Sequence, residues 1–343
     1  MSHMSSFAIF RLPYEQQHTF IQQTAGQPLE LRSCAELSGQ SGFVVAPFMP
    51  SDSRPILVIR PDVVTHDVPW SQLQVSPSAC SSSLADDPRS DYHIDFANFH
   101  AHLVNGDFAK LVLSRSIFIP AESPLSPVEL YQKACASYPR MMIILVSTPQ
   151  SGTWLVATPE ILLSGRGAQW QTVALAGTMP FSEQVLWSDK NIQEQRYVAT
   201  YITEQLEQFT SDFTETGPRT VRAGHLAHLR SDFHFQLNDT QTIGEIIQTL
   251  HPTPAVCGLP KHQALNFILH NEHHDRSYYS GFMGPLFVDD TTHLFVTLRC
   301  MQLFTNGYHL YAGGGILCDS QEEQEWHETE IKLDTMRRVI KTE

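Results

Sequence analysis

The sequence predicts an α+β fold, and three observations carry that expectation. Segments of helical period and segments of strand composition follow one another without the strict strand–helix–strand alternation that builds a doubly wound parallel sheet. Hydrophobic residues make up 42% of the 343 residues and charged ones 17%, which leaves enough apolar surface for a sizeable core. No apolar run approaches the ~20 residues of a membrane span, and no basic segment followed by an apolar stretch opens the chain. The first residues, Met1-Ser2-His3-Met4, read as an expression scar.

Up to about Ser90, short apolar runs (Phe43 to Ala46, Ile56 to Ile59) alternate with Gly, Pro and Ser clusters, a pattern of short strands and turns. Ser76 to Asp91 is rich in serine, with two prolines and adjacent aspartates, and reads as an exposed loop. The chain therefore divides into residues 1–90, a strand-rich segment of the same fold, and residues 91–343. Asp95 to Asn105 has helical pattern, with His93, His100 and His102 on a solvated face, and Phe108 to Ile119 reads as a strand. Pro127 to Ala136 is helical; Met141 to Val146 and Thr153 to Ala157 form strands of a hairpin around Gly152. Ser188 to Phe209 is the clearest helix, because Val198, Tyr201, Ile202, Leu206 and Phe209 make one apolar stripe. Ile243 to Leu250 and Lys261 to Asn271 are helical. Leu294 to Leu303 and Tyr308 to Ala312 make a hairpin across Asn306-Gly307, and Gln321 to Lys341 is a terminal helix.

Against 22 Lys and Arg stand 36 Asp and Glu, a net charge of −14, so the chain lacks the electrostatic footprint of a nucleic-acid or anionic-membrane binder. An anionic substrate has to be met by a few local cations or by a metal. The six cysteines are spread singly without a C-x-x-C pair, which points to free buried thiols in a reducing cytoplasm. His270 and His274 have H-x-x-x-H spacing but not the helical HExxH order, so no zinc site is expected there.

A few residues stand out for their chemistry. Glu194 precedes Val198 by four and Tyr201 by seven and so points inward with the stripe; the ordinary alternative is a helix-end carboxylate near the positive dipole. Glu325, Glu328 and Lys332 share one face of the terminal helix, either as an exposed ladder or as oxygen donors for a hard cation such as Mg²⁺. The glycines of Ala312-Gly313-Gly314-Gly315-Ile316, and Gly177 in Ala174-Leu175-Ala176-Gly177-Thr178, would allow a backbone to approach an anion. Lys110 opens an apolar strand, as an edge gatekeeper or as a base whose pKa falls on desolvation. Glu160 is the converse, a carboxyl whose pKa rises in apolar company or a solvated turn residue after Pro159.

Taken together, these segments resemble the chorismate-utilising enzymes, the family of isochorismate, salicylate and anthranilate synthases. The matching stretches, in family order, are Lys110-Leu111-Val112-Leu113-Ser114-Arg115, Thr158-Pro159-Glu160, Leu175-Ala176-Gly177-Thr178, Leu250 to Gly258, Tyr279-Ser280-Gly281, Ala312 to Ile316 and Glu325 to Lys332. The resemblance implies two large, mainly antiparallel sheets packed together with helices outside, a catalytic domain over residues 91–343, and a Mg²⁺-dependent site for chorismate. It implies that Lys110 activates water for attack at C2 and that Glu160 protonates the departing C4 hydroxyl. It gives Glu194 and Glu328 as metal ligands, with Glu325 acting through water. Arg299, Tyr279 and Lys332 are implied to hold substrate carboxylates, helped by Gly177, Thr178 and Gly314, with His228 lining the ring.

Ala255 lies where the amine-transferring branch carries a threonine, so Pro254-Ala255-Val256-Cys257-Gly258 is similar to the water-using branch, and isochorismate is the expected product. A salicylate synthase, which also eliminates pyruvate, is the near alternative; a non-catalytic chorismate-binding protein would have lost Lys110 and Glu160. Two positions depart from the family pattern: Met179-Pro180-Phe181 stands where arginines usually follow, and Asn191 where an aspartate precedes the metal glutamate. Neither the oligomeric state, with which a monomer is compatible, nor a destination in quinone or siderophore synthesis is legible in the sequence.

Overall fold

The computed structural model describes residues 6–71, 73, 75, 77, 88–182, 186–237 and 239–341. Two nine-stranded sheets dominate it, and every described strand pairing is antiparallel. The first runs in space Gly258–Leu259, Lys110–Pro120, Gly307–Ile316, Cys300–Phe304, Gly152–Thr158, Met142–Thr148, Ser6–Arg11, Thr19–Gln23, Val63–Thr65. The second runs Phe213–Ala223, Leu226–Gln236, Gln169–Pro180, Ile161–Arg166, Thr291–Val296, Phe282–Leu286, Gly42–Ala46, Ile56–Ile59, Leu29–Leu31. Residues 6–65 thus give three strands to each sheet.

Alternation along the central strands explains their composition. Met142, Ile144, Val146, Trp154 and Val156 point between the sheets against Phe43, Val45, Leu57 and Phe295, while Ile143, Leu145, Leu155 and Ala157 point outward under helices. A strand buried on both faces needs a continuous apolar run, which is how Met141 to Val146 reads. Helices Asp189–Leu206 and Ile243–Leu250 cover the second sheet, and Pro127–Ser137 and Glu322–Ile340 the first. Helices Pro88–Val104 and Lys261–Asn271 close the edge beside Lys110–Pro120. Ser126 caps its helix by accepting from the Glu129 amide while the Glu129 carboxylate accepts from the Ser126 amide.

Several expectations need correction. Leu294 to Leu303 is not one strand: Thr291–Val296 belongs to the second sheet and Cys300–Phe304 to the first, and the chain crosses between them at residues 297–299, with Arg299 at φ 46°. The hairpin with Gly307–Ile316 holds for the second half alone. The helix drawn to Phe209 ends at Leu206, and Pro88–Asp91, expected in a loop, already belongs to a helix. Cys34, Cys257 and Cys300 are buried free thiols, but Cys135 is only half-buried and Cys318 is exposed. Met1–Met4, Cys80 and most of the Ser76 to Asp91 loop lie outside the described residues. Among the described residues, no helix is long and apolar enough to cross a membrane.

Candidate active site

A cleft with about 600 Å³ of free space opens where strands Lys110–Pro120 and Gly307–Ile316 of one sheet face Gln169–Pro180 and Leu226–Gln236 of the other. Of the residues singled out in the sequence, Glu160, Gly177, Thr178, Glu194, His228, Ala255, Tyr279, Arg299, Gly314, Glu328 and Lys332 all line it. Lys110 and Glu325 do not. Lys110 is fully buried behind the Gly315 backbone, and Glu325 opens on the adjoining hollow with Thr178, Lys190 and Glu328.

Three glutamates and three lysines meet here in pairs. Lys110 Nζ lies 2.9 Å from Glu194 Oε1, Lys332 Nζ donates to Glu328 Oε1 and to the Gly313 carbonyl at 2.7 Å each, and Lys190 pairs with Glu325. The gatekeeper alternative for Lys110 falls, since the residue is wholly buried; the ladder alternative for Glu328 and Lys332 is present, but inside the cleft wall. Gly315 makes the Lys110–Glu194 contact possible: a Cβ there would lie 2.0 Å from Glu194 Oε1 and 2.9 Å from Lys110 Cε. Burial alone would raise the Glu194 pKa, but Lys110 and Lys190 outweigh it and hold the carboxylate below its usual range.

Glu194, Glu325 and Glu328 have the donor chemistry of a Mg²⁺ site, namely oxygen ligands of a hard cation. Glu325 and Glu328 both approach the position over Gly314, at 3.7 and 3.2 Å from a Cβ built there. Burial pushes Glu325 up to about 7 against the opposing charge of Lys190, and the like charge of Glu328 adds to the rise. A cation between them would relieve both effects, so the residues fit. Among the described residues, no three metal-ligating side chains already stand close enough to share an ion.

Glu160 sits at the turn that carries the chain from Gly152–Thr158 of the first sheet to Ile161–Arg166 of the second. It is 3% exposed, and burial pushes its carboxyl up to about 7 despite the opposing charges of Lys110 and Arg299. Arg299 is buried at the crossing between sheets. Its Nη2 donates to His228 Nε2 at 2.8 Å, while its Nη1 is buried without a hydrogen-bond partner among the described residues. His228 Nδ1 in turn donates to the Gly177 carbonyl at 2.8 Å. Burial, then the Arg299 charge, hold His228 well below its ordinary pKa, so it is a neutral ring that accepts from one side and donates from the other. Gly177, at φ 68°, breaks the register of its strand and turns that carbonyl to the ring. Tyr279 stacks on Tyr311 at 5.8 Å between centroids.

Sequence reasoning missed Lys190. The signal was present, because Lys190 precedes Glu194 by four on the same helix, in the first turn after the Ser188 cap. Within the histidine cluster, Glu272 pairs with Arg276 and His273 with Asp95.

The family described as chorismate binding enzyme matches residues 70–341. The chain is 30% identical to the isochorismate synthase DhbC of Bacillus subtilis over 346 residues, covering 92% of this chain and 85% of that protein. It is 30% identical to the isochorismate synthase EntC of Escherichia coli K12 over 67% of this chain and 62% of that protein, so it spans less than two thirds of the latter's length. Among solved structures, DhbC of Bacillus anthracis superposes with a TM-score of 0.81 at 24% identity, covering 97% of this chain and 96% of that one. The menaquinone-specific isochorismate synthase MenF of Escherichia coli does so with 0.80 at 20% identity, covering 99% and 90%. Both share the two-sheet fold described above.

Proposed function

The chain belongs to the chorismate binding enzyme family, and from that premise we propose that it is an isochorismate synthase, interconverting chorismate and isochorismate. Lys110, buried behind the Gly315 backbone beside Glu194, is to reach the cleft as the neutral amine, where it takes a proton from water as the water oxygen bonds to C2. The ring double bonds shift, from C1–C2 to C1–C6 and from C5–C6 to C4–C5. The C4–O bond breaks, and the hydroxyl leaves as water with the proton of Glu160. A base and an acid acting in one displacement are each worth about 10² to 10⁴ in rate.

One observation above all supports this reading: a buried carboxyl pushed up to about 7 shares one cleft with an arginine whose Nη1 has no hydrogen-bond partner among the described residues. A carboxyl titrating near neutrality is suited to donate a proton, and a buried, unsatisfied guanidinium nitrogen is suited to a carboxylate. Arg299 and Lys332 hold the substrate carboxylates, Tyr279 and the neutral His228 border the ring, and Ala255 leaves room for water as nucleophile. Mg²⁺ held by Glu194, Glu325 and Glu328 would neutralise the ring carboxylate. The relatives named as isochorismate synthases support the same product.

Product analysis tests the proposal. Chorismate, Mg²⁺ and the protein are expected to give isochorismate, at a mixture reached from either direction, with no pyruvate detected by coupling to lactate dehydrogenase. Pyruvate in stoichiometric amount with fluorescent salicylate would assign a salicylate synthase, and no turnover at all would leave a binding protein.

A further inference from the structure

Behind the cleft wall, away from the three Glu–Lys pairs, lies a buried ion pair that the mechanism does not use. Arg276 is 3% exposed, and its guanidinium is held by Glu272 through Nε to Oε2 at 2.6 Å and Nη2 to Oε1 at 2.8 Å. Its remaining hydrogen bonds go to backbone. Nη1 donates to the Val256 carbonyl and Nη2 to the Val112 carbonyl, each at 2.7 Å. Glu272 Oε1 also accepts from the Ser114 amide at 2.7 Å, and the Arg276 carbonyl accepts from the Tyr279 amide at 2.8 Å.

These partners are not neighbours in the chain. Val112 and Ser114 lie on the strand that Lys110 opens, Val256 follows Ala255, and Tyr279 borders the substrate space; Val112, Val256 and Tyr279 all line the cleft. One side chain therefore ties the strand of the base to the loop opposite the nucleophile, while the Arg276 backbone carbonyl closes the turn that carries Tyr279. A planar guanidinium offers five donors in a fixed fork, whereas an ammonium on a flexible stem cannot serve both carbonyls and both carboxylate oxygens in that geometry.

We propose that Arg276, with Glu272 as its counter-ion, is a positioning residue for the reaction: it fixes the Lys110 strand against the Ala255–Val256 loop, and so sets where the attacking water stands. This rests on the isochorismate synthase reading, since it presupposes a base on one wall and a nucleophile space on the other. The substrate carboxylates are held by Arg299 and Lys332, which Arg276 does not touch. Its loss therefore acts on the chemical step and not on binding.

The experiment is steady-state kinetics on Arg276→Lys, Arg276→Ala and Glu272→Gln beside the unaltered protein, with thermal melting of each. Arg276→Lys, which keeps the charge beside Glu272, is expected to lower kcat about 10²-fold, the cost of a misplacement near 1 Å, and to leave KM within about threefold. Glu272→Gln is expected to fall between that variant and the unaltered protein. The hollow beside Arg276 and Glu272 opens to solvent, so guanidinium ion, far below denaturing concentration, is expected to restore part of the kcat of Arg276→Ala. If Arg276→Ala does not fold, the Arg276→Lys split decides alone. A kcat near that of the unaltered protein in Arg276→Lys, or a rise in KM with kcat unchanged, would overturn the proposal. Absence of turnover in the unaltered protein would instead sink the reading on which it rests.

Discussion

Glu160 poses a conflict between stability and chemistry that a single substitution can expose. Its carboxyl has a folded pKa of about 7 against an ordinary 4.5, so the folded chain binds that proton more tightly than the unfolded chain does. The associated stability is complete below pH 4.5 and is lost as pH rises through 7, up to roughly 3 kcal/mol at 1.36 kcal/mol per unit. Glu160→Gln is accordingly expected to melt higher than the unaltered protein at pH 8, by an amount that shrinks toward pH 4.5. The same substitution removes the proposed acid, and kcat is expected to fall by about 10² to 10⁴. For the unaltered protein the forward kcat is expected to decline as pH rises through about 7, because the acid must be protonated to act. Lys110→Ala tests the base in the same way, with near-normal kcat as the contradicting result. The sequence made the Glu160 environment legible, since Pro159 and Ile161 already announced apolar company. It could not show that Lys110 would face Glu194, because that pairing depends on two elements 84 residues apart (194 minus 110) being brought together.

At the scale of elements, the site is made where two strands and two helices come into contact. Gly315 on strand Gly307–Ile316 leaves the space that Glu194 of helix Asp189–Leu206 enters, and Lys110 of the neighbouring strand meets it there. Gly315→Ala places a methyl group 2.0 Å from Glu194 Oε1, so the Lys110–Glu194 pair must separate. Activity is expected to drop about 10²-fold while circular dichroism stays that of the unaltered protein; unchanged activity would contradict this account of the glycine run. Elements with a strong period were readable in advance, among them Asp189–Leu206, Ile243–Leu250 and Lys261–Asn271, because one buried face imposes the spacing. Strand Phe213–Ala223 was not. It lies at a sheet edge, is exposed along most of its length, and contains Gly217-Pro218, so neither alternation nor apolar content marked it. The division of Leu294 to Leu303 between two sheets also escaped, since the left-handed backbone at Arg299 falls on a residue type that carries no such signature.

On the scale of the whole molecule, two packed sheets hold a set of paired charges that neither sheet could enclose alone. An acidic chain of net charge −14 places Arg299 and Lys332 in the cleft, with Lys110 buried behind its wall and Lys190 on the adjoining hollow, a local set of cations suited to the proposed dianionic substrate. If Glu194, Glu325 and Glu328 hold Mg²⁺, chelation is expected to abolish turnover and added Mg²⁺ to restore it; full activity in excess chelator would contradict the site. The central claim is that the hydroxyl of isochorismate comes from solvent water, delivered at C2 by Lys110, while the C4 hydroxyl departs. The most direct measurement is mass spectrometry of isochorismate formed from chorismate in water labelled with heavy oxygen, sampled early in the reaction. The account predicts one labelled oxygen, at the C2 hydroxyl. Unlabelled isochorismate, its hydroxyl carried over from C4, would contradict it.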